Sequence, residues 1–264
     1  MADEGGASDG FYVGYADAMP PELRRFVRRT VLAALAASAA VGALAVAFHE
    51  PFASSVFEYG HEREFVGWIR ETPLPLLVVP GPPCTKTCAA TSSWPLARYG
   101  TKRGAVELVR GLEGRQVRLY GVLVHRADQT LLDVVPGSIE ILSGADRARA
   151  AGATPPPRVE DLGMQRVTGE IVDGKCHFGV MRPGDGKAHR SCAARCISSG
   201  APPVLWVRDE RGRERHLLLL GADGRMLNRE ILPFVAERVE IRGRVLRYDE
   251  LLVLQAEPSV YRRR

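Results

Sequence analysis

The five cysteines of this 264-residue chain fall into two tight groups, Cys84 with Cys88 and Cys176 with Cys192 and Cys196. The second group carries the richer chemistry. Cys192 and Cys196 are four residues apart and His189 stands three before Cys192, so on a helix all three share one face. Cys176 would approach them from the end of a preceding strand. Three sulfurs and an imidazole make a Cys3His metal set, with Cys176, His189, Cys192 and Cys196 as ligands. Zinc tolerates such a set, copper(I) prefers its thiolates, and an iron–sulfur cluster usually wants four cysteines. Two rival chemistries use the same residues. In an oxidising compartment two of the thiols would pair and leave one free. An i, i+4 pair on a regular helix meets disulfide geometry poorly, so Cys176 with one of the others is the better pair. The other rival is thiol–disulfide exchange at Cys192 and Cys196. His177 reads as a loop residue rather than a ligand, because its neighbour Cys176 already fills that place.

Cys84-Thr85-Lys86-Thr87-Cys88 has no histidine nearby and reads as a small-loop disulfide or a pair of loop thiols. No Cys-x-x-Cys-His run is present, which argues against covalent c-type haem. P-loop, Gly-x-Gly-x-x-Gly, Gly-x-Ser-x-Gly and His-Glu-x-x-His patterns are absent as well. Asp209-Glu210 and Asp249-Glu250 fall in predicted hairpin turns, where charge is expected. No catalytic residue is assigned, and the balance favours a protein that is not an enzyme.

The elements that would position the motif repeat along the chain. Arg115–Leu142 resembles Glu237–Tyr261: Val117 aligns with Val239, Leu119 with Ile241, Gly121 with Gly243, and Leu131-Leu132 with Leu251-Leu252. Upstream, Phe65–Ile69 resembles Val167–Ile171, and Leu76–Val79 resembles Val204–Val207. Apolar residues alternate with polar ones at the strand period, and a glycine inside such a strand marks a bulge or sharp bend. Four or five short, bent strands per copy suit a small barrel of the OB type. The expected fold is mainly β: an N-terminal transmembrane helix followed by two OB-like small β-barrels. The boundaries expected are a tail over 1–30, a helix over 31–48, barrels over 56–143 and 160–261, and a linker over 144–159, rich in Ala, Gly and Pro.

Val31–Phe48 is 18 residues without a charge, rising about 27 Å as a helix. Arg24, Arg25, Arg28 and Arg29 precede it, which predicts a cytoplasmic N-terminus and exported C-terminal domains. Permanent anchoring is expected over cleavage at the Ala45-Val46-Ala47 small-x-small pattern, since the preceding segment is long for a signal. Arg28-Arg29 fits a twin-arginine signal only loosely. Lys+Arg 36 against Asp+Glu 31 gives a net charge of +5, too slight to argue for nucleic acid. The aromatic tail Phe11–Tyr15 suggests an interfacial cluster or a docking peptide for a membrane partner.

Thr168-Gly169-Glu170-Ile171-Val172-Asp173-x-x-Cys176, followed by His189-Arg190-x-Cys192-x-x-x-Cys196 and Gly200-x-Pro202-Pro203, resembles a family of uncharacterised bacterial membrane-anchored exported proteins. Its Asp-x-x-Cys…His-x-x-Cys-x-x-x-Cys motif is the specific part, and the tail around Phe11–Tyr15 is similar too. The resemblance implies an OB-like exported domain and supplies no reaction or ligand. The function expected is an inner-membrane-anchored metal-binding protein, a carrier or an accessory subunit of a respiratory or assembly complex. A thiol–disulfide redox protein, or an OB-type binding module with structural disulfides only, is the alternative.

Overall fold

Alternating apolar residues build two sheets that each close on themselves. The structure, a computed structural model, describes residues 19–48, 55–80, 91–127, 129–142 and 159–264. Cys84, Cys88, Phe11–Tyr15 and most of the expected linker lie outside the described residues.

Helix α1 (Pro21–Ala47) starts ten residues before the uncharged run and carries the four arginines on its own first turns. Leu, Ala, Arg and Val continue a helix without interruption, and Pro stands at its start, where its missing N–H costs nothing. None of its residues is buried within the chain, and its apolar stretch is long enough to cross a membrane.

The first barrel comprises β2 (Arg63–Arg70), β3 (Leu76–Pro80), β4 (Thr91–Arg98), β6 (Gln116–Arg126) and β7 (Gln129–Val134), with β4 and β7 running parallel where it closes. Three short strands flank it: β1 (Ser55–Phe57), β5 (Arg103–Gly104) and β8 (Glu140–Ile141). A single-turn helix, α2 (Val106–Val109), follows β5. The second barrel repeats the order with β9 (Val159–Asp173), β10 (Pro203–Arg208), β11 (Glu214–Leu220), β12 (Arg238–Tyr248) and β13 (Leu251–Gln255), β11 lying parallel to β13, while β14 (Arg262–Arg263) pairs the outer side of β12. This is the mainly β architecture of two five-stranded closed barrels after an apolar helix.

Register makes the internal repeat explicit. Phe65 pairs with Leu119 as Val167 pairs with Ile241, and Gly67 with Val117 as Gly169 with Val239. The core positions correspond in turn: Ile69, Leu77, Leu119 and Leu132 fill the first barrel where Ile171, Leu205, Ile241 and Leu254 fill the second. At the bend in the long strand a Cβ on Gly121 would run into the Asp133 carbonyl, and one on Gly243 into that of Gln255. The closing hairpin corrects one alignment. Arg126 faces Gln129 as Tyr248 faces Leu251. The partner of Leu132 is therefore Leu254, not Leu252: apolar runs of Leu and Val slide by two without changing face, and only the pairing fixes them.

The copies differ most between their first two barrel strands. Residues 71–75 join β2 to β3, whereas residues 174–202 join β9 to β10 and contain the whole cysteine motif. That insertion holds an irregular helical turn (Cys176–Val180) and helix α3 (Gly186–Ser198). The barrels also share a core. Leu76, Ala97, Val124 and Leu131 of the first meet Val172, Leu218 and Val253 of the second, with Phe178 of the insertion fully buried among them.

Candidate metal centre

Strand β9 ends at Asp173, whose Oδ1 accepts a 2.7 Å hydrogen bond from the Cys176 backbone N–H and starts the turn that carries the first cysteine. The turn breaks at Gly179, whose φ of 155° only glycine adopts readily. The chain then comes back as α3, with His189, Cys192 and Cys196 on it.

The three sulfurs converge. Cys176 Sγ lies 3.7 Å from Cys196 Sγ and 3.9 Å from Cys192 Sγ. A metal with bonds of about 2.3 Å to tetrahedral thiolates sets its sulfurs about 3.8 Å apart, so the spacing suits a shared ion. All three are free thiols, Cys176 and Cys196 buried and Cys192 half-buried. The contact with the Cys196 sulfur, then burial, push the Cys176 thiol far up.

His189 joins a second, overlapping group. Its Nε2 is 3.1 Å from Asp173 Oδ2, and these two residues converge with Cys176 rather than with all three sulfurs. Asp173 thus holds the Cys176 turn with one oxygen and the His189 ring with the other, an orienting role that metal sites commonly use. The sequence pattern contains Asp173 three residues before Cys176, but nothing in it assigns the aspartate that part.

The first barrel supplies the other wall. Lys102 Nζ lies 2.8 Å from Cys192 Sγ, and that bond raises the pKa of the lysine. Lys175, buried next to Cys176, donates to the carbonyls of Arg98 and Thr101 at 2.7 and 2.8 Å and pairs with Asp133 at 2.7 Å. Burial raises the pKa of Asp133, against the pull of the Lys175 charge. A cleft of about 380 Å³ opens beside Cys176 and Lys102, walled by Phe57, Tyr59 and Tyr99.

His177 lies in the irregular turn and is buried. Its Nδ1 is 3.3 Å from the Gly184 carbonyl and its Nε2 is 3.2 Å from His216 Nε2. Arg126 donates to the His177 carbonyl at 2.8 Å and grips Glu214 with two bonds of 2.8 Å. Arginine from one barrel, glutamate from the other and histidine from the insertion form one polar knot, which no local spacing announces. Compared with protein-family models and with curated proteins, the chain matches none.

Proposed function

We propose that this protein is anchored in the bacterial cytoplasmic membrane by α1 with its N-terminus inside, and that its two exported barrels bind a metal ion through Cys176, Cys192 and Cys196. It acts as a metal carrier or as an accessory subunit of a membrane respiratory or assembly complex, with a membrane protein as its partner. The observation that carries the reading is the convergence of three free sulfurs at the spacing of a common ion. Arginines at the start of α1 and their absence just after it support the orientation.

Elemental analysis with thiol counting on the full-length chain, extracted in detergent and purified without a metal-affinity tag, tests this. About one metal per chain is expected, lost on Cys196→Ser and on Cys176→Ser, since each removes a charged ligand. Metal-free protein with reduced thiols would overturn the reading. Metal-free protein with one cysteine pair blocked would replace it with thiol–disulfide chemistry.

A further inference from the structure

Met181 follows the irregular turn directly, and its side chain stays 39% exposed. Its Sδ lies 3.6 Å from Cys192 Sγ, no farther than Cys176 Sγ stands from Cys196 Sγ. Cys192 Sγ thus has a thiol sulfur, that of Cys176, at 3.9 Å and a thioether sulfur at 3.6 Å. Met181 and Cys176 both line the cleft between the first barrel and the insertion, so a thioether and a thiol sulfur face the same opening. His189 Nε2 is 3.1 Å from Asp173 Oδ2 and groups with that residue and Cys176 rather than with all three sulfurs.

We infer that Met181 Sδ is the fourth donor of this centre, and that the resulting all-sulfur set takes copper(I) in preference to zinc. The inference rests on the reading of the three cysteines as metal ligands. A thioether is neutral, soft and a poor ligand for zinc, so it selects for a soft monovalent ion. Met181 is the most exposed member of the set and lines the cleft, which makes the cleft the route by which the ion arrives and leaves.

The test uses full-length protein in detergent, reduced and anaerobic, as wild type, Met181→Leu and His189→Gln. Copper(I) is titrated against a chromogenic copper(I) chelator, zinc against a zinc dye, and the copper shell is read by X-ray absorption. Met181→Leu conserves volume at a half-exposed position, so the fold is retained. It is expected to weaken copper(I) binding at least about tenfold, the low end of what even an outer-shell partner contributes. Zinc affinity should move by less than about twofold, a fraction of a kcal/mol, and the wild-type copper shell should contain sulfur only. Copper(I) binding unchanged in Met181→Leu, or nitrogen in the shell, would overturn the inference. Zinc binding that is lost in His189→Gln and unaffected in Met181→Leu, with no preference for copper, would overturn it while leaving a metal protein. If the reduced wild type bound neither ion, the metal reading would fall, and this one with it.

Discussion

Two residues beside Cys176 are buried although their side chains ionise in water. Lys175 donates to two carbonyls and pairs with Asp133. Removing either member would leave the other charge buried and alone, which costs several kcal/mol. His177 takes the opposite course and stays neutral. Burial, then the nearby Arg126 charge, then His216, hold its pKa well below the usual 6.5. Neutral, its Nδ1–H donates to Gly184 and its Nε2 accepts from His216. Once unfolded, the same ring protonates near its ordinary pKa of about 6.5, so below that pH the unfolded chain binds the extra proton and the folded one does not. The stabilisation is complete above that pH and is lost as pH falls, by up to about 1.4 kcal/mol per pH unit. Urea unfolding midpoints from pH 7.5 to 5 should show this slope, and His177→Gln should flatten it while lowering every midpoint. An unchanged slope in the variant would remove His177 from the account.

The cysteine-bearing insertion is held as an element by its contacts with the first barrel. Gly104 of β5 meets Gly200, just past the end of α3, so closely that a Cβ there would overlap the Gly200 carbonyl. The Gly104 N–H donates to the Ser199 carbonyl at 3.0 Å, which satisfies one of the open carbonyls at the helix end. Gly104→Ala is therefore expected to cost about 1–3 kcal/mol, and more if the backbone cannot shift. It should also speed labelling of Cys192 and Cys196 by a thiol reagent, since α3 would sit less firmly over them. Wild-type labelling rates in a destabilised variant would show that α3 is held by other contacts.

Across the part of the chain that follows α1, the two barrels are expected to unfold as one unit because they share an apolar cluster and polar ties. Residues 53–264 form one compact unit. Asp249, in the last hairpin of the second barrel, accepts from Ser93 and Thr91 of the first at 2.9 and 3.1 Å, and Glu250 accepts from the Ser93 backbone N–H at 2.8 Å. These turn acids are clasps and not merely solvated charge. Leu131 is fully buried in the shared cluster. Leu131→Ala, a first-barrel change, is expected to cost about 2–5 kcal/mol. Hydrogen exchange should then show protection lost together in β2 and in β10. Retained protection in β10 would mean the barrels unfold separately.

The sequence alone determined what depends on nearest neighbours along the chain. Strand alternation and the glycine bends announced two small barrels, and the strand-two alignment of Leu76 with Val204 agrees with the observed register. An uncharged stretch as long as Val31–Phe48 can satisfy its backbone only as a helix when no water is present. The spacing of His189, Cys192 and Cys196 marked one helix face, and all three lie on α3. Tertiary structure decided the rest, because those contacts join residues that no local period relates. It slid the closing strand by two residues, turned His189 toward Asp173, and brought Met181 to Cys192. It also set Lys102, Asp133 and Arg126 of one barrel around the insertion of the other. Backbone pairing and the need to satisfy buried charge select those neighbours, and both act only once the two barrels meet.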